Sequence, residues 1–352
     1  MKKFLARFFG KLAKSFGEEE REVIVCLPEP QKEIEQEHIH KTDEIEAPPT
    51  IVEEKKQNKK LAKEQTKTRG KKPKDGDIVT IDPRDIRDVM ELMEVPFVSL
   101  SKNRTAPIIY ESPNGKSKVR ISCHPPYHVA SIYDWDIIIF VSSKLQETIN
   151  FASDIPPRTL IVSRNELIKA IYRHVGKTTD SEIEAALNRL RSTFIETTIH
   201  NEDYRYKGGF GFLDNWGYTE RKDIKEFRIT LSEWLYEITC SKGALLKVHP
   251  EYFKITSGIK RFLYRTARKH VGNQNEGWTF SIETLHEKSG SEQELKKFKY
   301  DLKKAVKNND IPGYFLDWVE KDGKAFVRFV NARKKIKKIL SEPSTQLSLP
   351  SL

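Results

Sequence analysis

The order helix, turn, helix, strand pair is spelled out twice between residues 160 and 331, and it restricts this chain more than any other feature. The first copy lies in "LIVSRNELIKAIYRHVGKTTDSEIEAALNRLRSTFIETTIH", residues 160–200. Ser163, followed three residues later by Glu166, is a capping box that satisfies the free N–H groups of a helix start. The helix turns Leu167, Ile168, Ile171 and Tyr172 inward and stops at Gly176. After "KTTD" a second helix is expected from about Ser181 to Ser192 on Ile183, Leu187 and Leu190. "TFIETTIH" then has the β-branched content of a strand. Its expected partner is "EFRITLSEWL", reached across the glycine-rich "YKGGFGFLDNWG".

The second copy opens with "GWTF" as a strand and "SIETLHEK" as a helix started by Ser281. A turn at Ser289 and Gly290 leads into a lysine-rich helix from about Glu292 to Asn308. "PGYFLDWVEKDGKAFVRFVN" closes the copy, with Asp322-Gly323 between alternating segments as the centre of a two-residue hairpin. Two helices and a hairpin in this order are the pattern of a winged helix-turn-helix. The expected fold class is therefore α+β, with two winged helix-turn-helix domains in tandem over residues 78–243 and 244–335. At 352 residues the chain has room for both.

The segments around these units read differently. "MKKFLARFFGKLAKSF", residues 1–16, is a basic amphipathic helix; a free or partner-docked helix is preferred over membrane contact, and no signal-peptide cleavage site accompanies it. Residues 17–77 are Glu, Lys, Gln and Pro with few apolar side chains, the composition of a disordered charged linker. "DPRDIRDVMELME" has helical spacing through Ile86, Val89, Met90 and Met93. "APIIYESPNGKSKVRISC" suits a hairpin turning at Asn114-Gly115. "ASIYDWDIIIFVSSKLQETI" reads as a helix with Ile132, Trp135, Ile138, Ile139 and Leu145 buried. Residues 336–352 form a flexible tail.

Charge placement directs attention to the second copy. The whole chain carries a formal +11. Residues 244–340 hold 22 Lys+Arg against 11 Asp+Glu, so this stretch alone accounts for the excess. A localised cationic surface of this kind suits nucleic acid or an anionic membrane. At about 100° per residue, Leu295, Phe298, Leu302, Ala305 and Val306 fall on one side of the lysine helix. Lys296, Lys299, Lys303 and Lys307 lie nearly opposite, flanked by Lys297 and Lys304. That is what a recognition helix in the major groove requires. Glu292 and Glu294 sit in its first turn, where the helix dipole favours acids and where cytosine amino groups are within reach. The expected phosphate-tracking surface adds Lys260, Arg261, Arg265, Arg268 and Lys269 before the helix and Lys321, Lys324 and Arg328 on the hairpin. In the first copy Lys177, Arg189 and Arg191 take the equivalent places; that copy reads DNA or serves as a dimer surface.

Catalytic patterns are thin. Cys26, Cys123 and Cys240 lie far apart without metal-ligand spacing, which fits a reducing cytoplasm. No apolar run approaches the roughly 20 residues of a membrane span. His38 and His40 in "EHIH" match the histidine pair of rolling-circle nicking enzymes over only three residues. "NGKS" and "GKTT" resemble the end of a phosphate-binding loop, but Tyr110 and Ile171 stand where its first glycine is needed. Asp134 and Asp136 around Trp135 read as surface acids at a helix start. No catalytic residue, metal or cofactor is expected, so binding must carry the function.

"SIYDWDIIIF", "LNRLRSTFIETTI", "LSEWLYE", "GIKRFLYRTARKHVG" and "WTFSIETLHEKSGS" together resemble the bacterial plasmid replication initiator protein A family, over roughly Phe97 to Val330. The stretch from Arg261 to Ser291 is the most specific part. The resemblance implies tandem winged helices that bind direct repeats (iterons) in double-stranded origin DNA, open an adjacent A·T-rich segment and bring in host initiator and helicase. It also implies a homodimer that represses its own gene. Gln346, Leu347, Leu349 and Leu352 in the tail resemble the peptide by which bacterial proteins dock on the replicative sliding clamp. A winged-helix transcription regulator and a metal-dependent nicking enzyme are the rival readings.

Overall fold

The computed structural model describes residues 85–334, apart from short internal segments at 112–116, 152–155, 174–175, 177, 201–204, 223, 242, 273 and 275. The amphipathic helix, the charged linker, the Asn114-Gly115 turn, Lys177, the His38–His40 pair and the Gln346–Leu352 tail lie outside the described residues.

Helix and sheet are mixed, and the doubled order is present. In the first copy β4 (Thr159–Ser163) runs into α2 (Arg164–Ala170). The Ser163 hydroxyl accepts the Glu166 N–H at 3.2 Å, while the Glu166 carboxylate turns to Lys144 Nζ at 2.7 Å. Only half of the capping box therefore forms. α2 ends at Ala170, short of Gly176, because Tyr172 adopts a φ of 53°. Its ring, expected inside, is exposed and stacks on Phe253 with centroids 6.0 Å apart. α3 (Thr179–Ser192) buries Ile183, Leu187 and Leu190 as its spacing requires.

The expected pairing after α3 is not what forms. β5 (Thr193–His200) joins β2 (Ile108–Glu111), β3 (Ser117–Cys123) and β6 (Arg205–Gly211) in a sheet of order β2-β3-β5-β6. The glycine-rich stretch is strand, not excursion: it supplies β6 and β7 (Leu213–Arg221). Gly209 is small because the Phe194 ring of the neighbouring strand lies where a Cβ would be. β8 (Ile224–Leu231) pairs instead with β7 and β4, giving the order β4-β8-β7. "SEWL" begins α4 (Glu233–Cys240) rather than ending a strand.

The second copy repeats this arrangement without the inserted strands. β10 (Trp278–Ser281), α6 (Ile282–Ser289), α7 (Leu295–Asn308), β11 (Tyr314–Lys321) and β12 (Lys324–Asn331) follow one another, with sheet order β10-β12-β11. Asp322 and Gly323 have φ of 51° and 72° and connect the paired Lys321 and Lys324.

The two copies share one continuous apolar core, from Val162 and Leu190 to Phe298 and Phe329. β1 (Arg87–Val89), which replaces the helix expected there, pairs with β9 (Leu245–Lys247), so a strand ladder joins residues on both sides of position 243. A 3-10 turn over Glu91–Met93 follows β1. Two helices run through the middle. α1 (Trp135–Phe151) buries Ile137 to Val141 completely, and α5 (Gly258–His270) buries every residue from Arg261 to Ala267.

Candidate nucleic-acid interface

The lysine helix is held from beneath. Phe298, Leu302, Ala305 and Val306 are buried, as the periodicity requires, and all six lysines of α7 are exposed. Leu295, expected inside, is 39% exposed because the helix starts there rather than at Glu292. Gly290 explains the tight turn before it. Its φ of 60° is left-handed, and a Cβ would sit 2.7 Å from Pro96 Cβ and 2.9 Å from Ile108 Cγ2. Arg104 seals the turn by donating to the carbonyls of Gly290, Ala106 and Pro107, and its Nε lies 3.5 Å from Glu292. At the far end Asn309 adopts a φ of 48° and exchanges two 3.0 Å hydrogen bonds with the Leu316 backbone, tying α7 to β11. Both ends of the helix are thus fixed, and its outer face is presented rigidly.

The surface cations differ in how far they are committed. Lys297 pairs with Asp301 at 2.8 Å, which holds the Asp301 carboxyl below its ordinary range. The Lys303 ammonium lies 5.4 Å from the Trp318 ring centroid. Lys296, Lys299, Lys304 and Lys307 are exposed and take no ion-pair partner among the described residues. Lys321 and Lys324 are exposed at the hairpin tip, while Arg328 is exposed but pairs with Asp317 at 3.1 Å. Lys260 pairs with Asp310 at 2.6 Å, and Arg268 donates to the Lys247 carbonyl at 2.6 Å.

Three cations expected at the surface are inside. Arg261 bonds Asp136 at 2.6 Å and the carbonyls of Ile255 and Phe253 at 2.7 and 3.1 Å. Arg265 bonds Asp88 at 2.9 Å and the Leu92 carbonyl at 3.1 Å, and Asp88 also accepts the Trp135 indole N–H at 2.8 Å. Lys269 reaches Glu94 at 2.5 Å beside Lys288 and His270. Buried in these ion pairs, the three stand apart from the exposed cations of α7. Arg189, half-buried, is held bidentately by buried Asp134 at 2.8 and 2.9 Å. Arg191 stays exposed, with a long 3.4 Å hydrogen bond to the Asp214 carbonyl.

The acids in this interior network all precede residue 137 and the cations that meet Asp88, Glu94 and Asp136 all follow residue 260. Asp134 and Asp136 are therefore not surface acids. Burial pushes the Asp136 carboxyl up to about 6 against the pull of Arg261. At Glu94 burial would raise the carboxyl, but the His270 hydrogen bond and the charges of Lys269 and Lys288 hold it well below its ordinary value. Sequence reading missed this network. Its one local signal is that Arg261, Arg265 and Lys269 stand four apart, a single stripe along α5.

The family model described as replication initiator protein A matches residues 87–316. A putative replication protein of Wigglesworthia glossinidia brevipalpis is 34% identical over 233 residues, covering 65% of this chain and 83% of the relative. Among solved structures, the chain is similar to RctB domains 2-3 (RctB-155-483) with a TM-score of 0.48 at 11% identity, covering 71% of this chain and 99% of that one. A selenomethionine derivative of domains 2 and 3 of RctB gives 0.49 at 11% identity, covering 68% and 95%.

Proposed function

Because this chain belongs to the replication initiator protein A family, we propose that it starts plasmid replication by binding direct repeats in origin DNA, with α7 in the major groove and the β11–β12 hairpin on the flanking backbone. The observation that carries the reading is the exposed lysine face of α7, fixed at both ends and backed by a buried apolar underside. The doubled strand–helix–helix–hairpin order, with the last strand central in each three-stranded sheet, supports tandem winged helices. The protein acts by binding, without a catalytic step of its own. Opening of A·T-rich DNA draws on that binding energy and on host proteins, which the tail engages at the sliding clamp through Leu347 and Leu349. Dimers of the chain repress its gene.

Replacing Lys296 and Lys303 together by Ala lowers the slope of log affinity against log salt by about two units, roughly one for each phosphate no longer neutralised. An unchanged slope would take α7 out of the interface. Footprints over several direct repeats support the initiator role, whereas a single protected inverted repeat at a promoter points to a regulator. Loss of clamp capture on changing Leu347 and Leu349 to Ala tests the tail.

A further inference from the structure

Tyr300 is 65% exposed, more than any other large apolar side chain among the described residues. Its position matters more than its exposure, since single exposed apolar side chains are ordinary. At about 100° per residue, Lys296, Lys304 and Lys307 fall within roughly 40° of it and Lys297 and Lys303 within about 60°, while Phe298 and Leu302 lie nearly opposite. The ring therefore marks the centre line of the cationic face. It is not packed into the core, and its ring faces the Lys297 ammonium, 5.2 Å from the centroid.

A tyrosine hydroxyl at the flank of such a face donates to phosphate, but a ring on its centre line stands farthest from the two backbone walls. A helix laid in a groove about 12 Å wide sends the flanking side chains to the phosphate walls and the central one to the floor. The floor is where base pairs differ, and the thymine 5-methyl is its apolar group. We propose that Tyr300 reads sequence by packing its ring on a thymine methyl in the repeat, while the surrounding lysines supply affinity that any duplex enjoys. The inference rests on α7 lying in the groove, as proposed above.

The test uses the full chain and a duplex selected by it from a randomised pool, with a scrambled duplex as reference. Tyr300→Ala is expected to weaken binding to the selected duplex by about ten- to a hundredfold, in keeping with about 1–3 kcal/mol for reading one base. Binding to the scrambled duplex and the salt slope stay as in the parent, and Tyr300→Phe keeps the preference. Replacing thymines singly by uracil weakens the parent by roughly three- to fivefold at one position, the share of one methyl, and leaves Tyr300→Ala unchanged there. Equal weakening on both duplexes, or uracil effects identical in parent and variant, overturns the proposal. A reduced slope in the Lys296/Lys303 double variant with an unchanged duplex preference in Tyr300→Ala would keep α7 on DNA and discard the tyrosine alone. An unchanged slope in the double variant would discard both.

Discussion

α3 and α7 occupy the same place in two copies of one arrangement, yet their charges are spent in opposite ways. α3 opens with Asp180, Glu182 and Glu184 and closes with Arg189 and Arg191. Nearly all of these are answered within the first copy: Arg164 and Lys225 meet Asp180, Lys225 meets Glu184 at 2.8 Å, and Arg189 meets Asp134. α7 carries six lysines against one aspartate, and among the described residues Lys297 alone of the six forms an ion pair. The same strand–helix–helix order thus leaves open how its second helix spends its charge. What decides is whether the cations are neutralised at home.

Paired substitutions on the two helices sharpen this contrast. The largest expected effect is on α3. Arg189→Ala leaves Asp134, 2% exposed, without its cation, and costs about 3 kcal/mol in denaturant unfolding while the salt dependence of DNA binding stays put. Lys303→Ala on α7 is the converse, changing DNA binding with little change in stability. A next, smaller effect is at Gly290, which sets where α7 begins. Gly290→Ala forces a side chain into a left-handed backbone and against Pro96, and lowers stability by about 1–3 kcal/mol in the same assay.

Acidity probes the interior in two directions. Glu94 titrates in the folded protein well below its ordinary 4.5, so its stabilisation is complete above that value and is lost as pH falls through the folded one. Glu94→Gln should flatten the acid limb of a plot of Tm against pH. Asp136, raised from 3.8 to about 6, has the opposite sign: its contribution is full below 3.8 and fades as pH rises to about 6, so Asp136→Asn removes a downward slope in that window. The smallest effect belongs to Arg191→Ala, expected to change the salt slope of DNA binding by less than about one unit. A drop as large as that of Lys303→Ala would erase the distinction between the helices.

Local chemistry was legible in the sequence, and long-range pairing was not. The Ser163 cap, the Asp322-Gly323 turn and the buried stripe of α7 each depend on residues within one or two turns. The partners of β5 and β8 do not, and a glycine-rich strand reads as loop until the Phe194 ring that demands Gly209 is known. The cations of α5 are the clearest case. Arg261 and Arg265 looked like surface charge because the acids that claim them lie 125 and 177 residues away.

That network bears on how the molecule can be dissected. Cutting the chain near position 243 would strand Asp88, Glu94 and Asp136 on one fragment and hand the other several liberated cations beside bared aromatic rings. Such a carboxy-terminal piece would cling to any polyanion through groups that the intact protein keeps out of reach, and affinities measured on it would overstate what the helix itself contributes.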